Sequence, residues 1–166
     1  MPKSEQGVNP DRYQLIPRVL IFVLRGDEVL LLKGGPHKRI WANRYNGIGG
    51  HVERGEDVLS AARRELREES GLEVETLDLR VVGVVDTDQS IGIGMYIFSA
   101  EYNGGALRES NEGSLEWIPM KQIGEIPVVE DLPVLIPAVM RARDENRVLF
   151  SLSYYDEHEK LCLRFS

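Results

Sequence analysis

Residues 57–70 hold one helical stripe that changes chemistry part-way along its length. Asp57 is a good N-cap residue, and Gly71 stands where a helix usually ends. At about 100° per residue, Val58, Leu59, Ala62 and Leu66 share an arc of roughly 100°, the width of a core-facing stripe. Glu65 and Glu69 fall inside or at the edge of that sector, and Glu68 lies about 60° beyond Glu65. Arg63, Arg64 and Arg67 fall on the other side. Glu65 therefore faces two like charges at helical-neighbour spacing. At about 5 Å and an effective dielectric near 20, each pair repels by up to ~3 kcal/mol. The negative end of the helix dipole adds roughly 0.5 kcal/mol per charge. Two readings stand: a solvated acidic edge offset by the arginines, or a divalent-cation site. Mg2+ suits the second, because it is held by a few carboxylates together with substrate phosphates.

The flanks predict β structure. Arg18–Arg25 and Glu28–Lys33 read as strands joined by a tight turn at Gly26-Asp27. Residues 34–56 read as loop around a short strand. Leu79–Asp86, Gly94–Tyr102 and Ser114–Pro119 are further strands. A helix is expected within Leu132–Glu145, with Pro133 in its first turn and Pro137 perturbing it. Arg147–Ser153 and Lys160–Phe165 make a closing hairpin. This order implies an α/β (α+β) fold with a mixed sheet sandwiched between helices. The 166 residues fit one domain at 15–166, behind a loose arm at 1–14. A net charge of −7 argues against non-specific nucleic acid binding. Cys162 is the sole cysteine, which excludes an intrachain disulfide and suits a reducing cytoplasm. The N-terminal stretch lacks the apolar core of a signal peptide, and no apolar run is long enough to span a membrane.

From Gly50 the chain reads GHVERGEDVLSAARRELREESGL. This resembles the Nudix box, G-x5-E-x7-R-E-U-x-E-E-x-G-U, with U a bulky aliphatic residue. Gly50, Glu56, Arg64, Glu65, Leu66, Glu68, Glu69, Gly71 and Leu72 fill every fixed position. The resemblance implies a loop-helix-loop on a mixed sheet between helices, and hydrolysis of a nucleoside diphosphate linked to another group. It implies that Glu65, Glu68 and Glu69, with the Gly50 carbonyl, bind Mg2+, or Mn2+ in its place. Glu65 and Glu68 are the candidate catalytic acids and Arg64 the residue that orients them. Glu56, Gly71 and Leu72 are implied to be structural. Bound divalent ions neutralise phosphate oxygens and activate a water, and a nearby carboxylate takes its proton. Glu65, Glu68 and an acid from a distant loop all remain open as that base.

The stretches RYNGIGGHVERGE and EGSLEWIP extend the resemblance to the branch that hydrolyses oxidised purine nucleoside triphosphates such as 8-oxo-dGTP. Asn46 falls where that branch contacts the base, and an Asn amide suits a purine edge; a turn residue before Gly47 is the other reading. Glu130 and Asp131 fall near its base-reading acids, or begin a helix as N-terminal acid and N-cap. Trp41 either stacks on a base or belongs to the core, whereas Trp117 is assigned to the core. His51 stands where relatives carry Lys, so it either meets phosphate or is an exposed loop residue. The basic run Lys33–Arg39 is either a solvated turn or a phosphate contact. The expected partner is a nucleotide, without a membrane or a stable nucleic acid partner; monomer and homodimer both remain open. Competing readings are an ADP-ribose or nucleotide-sugar pyrophosphatase and, in another class, a non-catalytic nucleotide-binding regulatory module.

Overall fold

The computed structural model describes residues 2, 5–37, 40–108 and 111–166. Strands β1 (Gln14–Arg25) and β2 (Glu28–Gly34) form a hairpin, and Gly26 turns it with φ 61°. Short β3 (Tyr45–Asn46) and β4 (Ile48–His51) lead into helix α1 (Val58–Ser70). Then come β5 (Asp78–Val85), β6 (Ile91–Glu101), β7 (Gly113–Pro119), helix α2 (Leu132–Asp144), β8 (Leu149–Tyr155) and β9 (Leu161–Phe165). The sheet runs β3-β2-β1-β6-β5-β8-β9, with β4 joined to β1 and β7 to β2. The β1–β6 and β5–β8 pairs are parallel and the other strand pairs antiparallel, so the sheet is mixed as expected.

The sequence of β1 explains its central place. A strand with helices over both faces reads as a continuous apolar run rather than an alternating one. Leu20, Phe22 and Leu24 point into a core layer shared with Leu132, Leu135, Ile136 and Val139 of α2. Val19, Ile21 and Val23 point the other way, against Ala61, Ala62 and Leu66 of α1. A Leu66→Ala change in that second layer falls in the class that costs about 2–5 kcal/mol.

Element boundaries shift by one to four residues from the sequence reading, most at the start of β1. β1 begins at Gln14 rather than Arg18, so the expected arm overlaps the sheet by one residue. The added stretch is exposed, and its apolar residues, Leu15 and Ile16, are adjacent rather than alternating; its backbone pairs in parallel with Ile91–Gly94 of β6. Pro137 lies inside α2 without ending it. It removes the amide that would bond the Pro133 carbonyl, and both prolines are exposed.

Candidate active site

Helix α1 is fixed at both ends by local chemistry. The Asp57 Oδ1 accepts hydrogen bonds from the amides of Leu59 and Ser60, at 2.9 and 3.0 Å. Gly71 closes the helix with φ 73°, and its amide donates to the Arg67 carbonyl at 2.9 Å. Leu72 follows directly into the core layer beneath α1. The box acids thus lie on a helix whose start, end and buried face are all specified.

Arg64 gathers the acids. Its Nη1 donates to Glu65 Oε1 at 2.8 Å and to Glu68 Oε2 at 3.2 Å. Its Nη2 donates to Glu56 Oε1 at 2.7 Å and to the His51 carbonyl at 3.0 Å. Nε donates to Glu56 Oε2 at 3.2 Å. Glu56 also accepts from the Glu53 amide at 2.7 Å, which ties the loop to the helix. The Arg64 hydrogen bonds, and after them the Glu53 amide, hold the Glu56 carboxyl below its ordinary pKa. The carboxylates raise the Arg64 pKa, first through Glu56 and then Glu65.

This corrects the helical-wheel reading. The wheel places Arg64 away from the acids, but its long side chain curls back among them. Glu65 and Glu68 are therefore not an uncompensated like-charge pair, and Glu68 has a structural partner. Nor do the acids all turn to one point. Glu69 is buried and its Oε2 accepts from the Gly49 amide at 3.0 Å. Among the described residues no three His, Cys, Asp or Glu side chains are arranged as a ligand set around one ion. The donor chemistry still fits a hard divalent cation: three carboxylates lie within five residues of one helix, beside bare backbone. That bare backbone is required, because a Cβ on Gly50 would overlap the Glu65 carboxylate and one on Gly49 would strike the Val19 carbonyl.

A shallow cleft of about 90 Å³, open to solvent, lies next to these groups and is lined in part by Trp41, Arg44, Asn46, Gly49 and Glu69. Trp41 is 45% exposed, with φ 61°, a rare conformation for an aromatic residue. It is not a core residue. Asn46 accepts from the Gly47 amide at 2.8 Å through its Oδ1, so it makes the local turn while facing the cleft. Trp117 packs beside the α1-side core, with Tyr102 edge-on at 5.0 Å and the Arg25 guanidinium 4.0 Å above its ring. Lys33 lies in β2, 5.3 Å from the Tyr45 ring; Lys38 and Arg39 of the basic run lie outside the described residues.

The two groups of expected base-reading residues line different cavities. Asp131 faces a smaller one of about 20 Å³, between α2 and the strands, with Gly83, Met95, Ser151 and Ser153. Glu130 is exposed. Asp131 does not cap α2 with its side chain; instead its Oδ1 is buried without a hydrogen-bond partner. Burial, and secondarily the Glu130 charge, raise its pKa. The two cavities are linked through backbone: the Tyr45 amide donates to the Pro127 carbonyl at 2.8 Å, and the Val129 amide to the Tyr45 carbonyl at 3.0 Å.

His51 ends β4 rather than sitting in a loop. Its Nε2 accepts from Arg18 Nε at 3.1 Å, across the β1–β4 register. Arg18 is the site-adjacent cation that sequence reasoning missed. Its only signal is one charge at the head of an apolar run, and no local pattern pairs it with a residue 33 positions away.

The model of the NUDIX domain matches residues 14–139. The chain belongs to the Nudix family. It has the fold of that family, whose hydrolases generally use divalent metal ions. It is similar to the oxidized purine nucleoside triphosphate hydrolase of Mus musculus, 39% identical over 108 residues. That match covers 63% of this chain and 66% of the mouse protein, just under two thirds of its length. It is also similar to the NAD-capped RNA hydrolase NudC of Pseudomonas aeruginosa, 32% identical over 116 residues, 69% of this chain and 40% of that one. The crystal structure of a MutT protein from Bacillus halodurans shares the fold, with a TM-score of 0.73 and 24% identity over 92% of this chain and 98% of that chain. No helix among the described residues is long and apolar enough to cross a membrane.

Proposed function

We propose that this Nudix hydrolase cleaves the diphosphate linkage of a purine nucleoside triphosphate carrying an oxidised base, such as 8-oxo-dGTP. The products are the nucleoside monophosphate and pyrophosphate. The observation that carries this is the acid cluster: Glu65, Glu68 and Glu69, steadied by Arg64 and Glu56 beside the bare backbone of Gly50. Those three carboxylates and the Gly50 carbonyl would hold Mg2+, or Mn2+ in its place. The ion supplies neutralisation of phosphate oxygens and a water of lowered pKa. Glu65 or Glu68 accepts the proton of the attacking water. Each gives one oxygen to Arg64 and keeps the other for that task.

Trp41 offers a stacking face at the cleft mouth and Asn46 a donor and an acceptor. Asp131 contributes from the second cavity, and Glu130 more loosely from the exposed surface beside it. His51 lies beside the phosphates. The 39% identity to an oxidised-purine enzyme supports the base assignment. The match to an NAD-capped RNA hydrolase favours, as second reading, a dinucleotide-type pyrophosphate, the class that includes ADP-ribose. The single cysteine suits a reducing compartment such as the cytoplasm. A substrate panel with product identification tests the reading. Oxidised purine triphosphates should give the highest kcat/KM. ADP-ribose, NAD or a nucleotide sugar turning over faster would overturn the triphosphate assignment.

A further inference from the structure

Two arginines fasten on to His51, and they are in opposite states. Arg64 holds the His51 carbonyl and is saturated by three glutamates. Arg18 holds the His51 ring through Nε alone. Its two terminal nitrogens make no hydrogen bond or ion pair among the described residues, which leaves four N–H donors in a planar fork.

Strand geometry says where the open fork is. Ile48 and Gly50 of β4 face α1: Ile48 belongs to the α1-side core, and Gly50 abuts Glu65. Strand side chains alternate, so Gly49 and His51 face the other way. Arg18, opposite His51, shares that face with Leu20 of the α2-side core. In the parallel pairing Arg18 is next to Met95, and Met95 is next to Gly83. Met95 and Gly83 line the Asp131 cavity. Arg18 thus lies in the cross-strand row that runs from His51 to that cavity, and the His51 carbonyl, held by Arg64, ties the row to the acid cluster.

We propose that Arg18, oriented by His51, is a phosphate-binding residue of this chain, its free N–H groups taking oxygens of the substrate's phosphate chain. The inference rests on the nucleotide hydrolase reading for its substrate. Arg64 spends its donors on Glu56, Glu65, Glu68 and the His51 carbonyl, so it has none left for a phosphate oxygen. A guanidinium fork fits phosphate oxygens two at a time, which a lysine ammonium does not. His51 makes Arg18 a fixed group rather than a sweeping one.

The test compares the full chain with R18Q, R18K and H51A. With the best substrate of the panel, R18Q should raise KM at least tenfold and leave kcat within about threefold. R18K should recover only part of the loss, and H51A should raise KM less than R18Q. Independently of turnover, inorganic pyrophosphate added in EDTA should shift the His51 ring NMR signals in wild type and not in R18Q. Wild-type KM and an unchanged pyrophosphate response in R18Q would overturn the proposal. So would equal losses of kcat and kcat/KM at unchanged KM. If wild type cleaves no nucleotide, the functional reading fails, and the pyrophosphate titration still decides whether Arg18 binds phosphate.

Discussion

Asp131→Asn should stabilise this protein at neutral pH and not at acid pH. The wild-type carboxyl has an orphaned oxygen, Oδ1, in the small cavity beneath α2, and burial raises its pKa. Its folded-state pKa therefore exceeds the unfolded one. Between the two, the folded chain binds more protons, so unfolding free energy falls as pH rises through that window and stays low above it. Below the unfolded pKa the acid is neutral in both states and costs nothing electrostatically. Asparagine keeps the shape and cannot ionise. An unsatisfied buried polar group costs about 1–3 kcal/mol, and the amide still carries part of that cost. The gain at pH 7.5 is therefore set at about 1 kcal/mol, which is roughly 2–4 °C in Tm for a chain of this size. Thermal unfolding followed by circular dichroism at pH 7.5 and pH 3.5 measures it. A lower Tm at pH 7.5, or the same gain at both pH values, would refute the reasoning. The variant should at the same time lose preference among purine bases, which is why a stability cost would be retained at this position.

Other consequences concern the acid cluster. Glu68→Gln should lower the Tm of the metal-free protein by a degree or two, because an i,i+4 pair with Arg64 this exposed contributes about 0.3–0.5 kcal/mol; a rise in Tm would mean that Arg64 does not neutralise it. Gly50→Ala should cut kcat/KM by about 100-fold while the far-ultraviolet spectrum is kept, since the new Cβ would displace the Glu65 carboxylate; near-normal activity would remove Glu65 from the chemistry.

What the sequence displays is what is local. Helix α1 is legible to the residue because its caps, its apolar stripe and its acids are all set within 15 positions of Asp57. The β1–β2 hairpin is legible for the same reason, through Gly26. The start of β1 is not, because Gln14–Pro17 enter the sheet by backbone pairing with β6, which leaves no mark on side chains. The state of Arg64 is hidden too: a wheel gives the direction of Cβ, not the reach of a guanidinium. Asn46 and Asp131 look like partners in one task along the chain, yet they open on different cavities, joined through β3. The Arg18–His51 contact depends on strand register, which only the folded sheet supplies.

The most direct test of the metal-holding acids is a Mn2+ titration by electron paramagnetic resonance on wild type, Glu65→Gln, Glu68→Gln and Glu69→Gln. Each substitution should weaken Mn2+ binding at least tenfold with the fold intact. Wild-type affinity in all three variants would contradict the account.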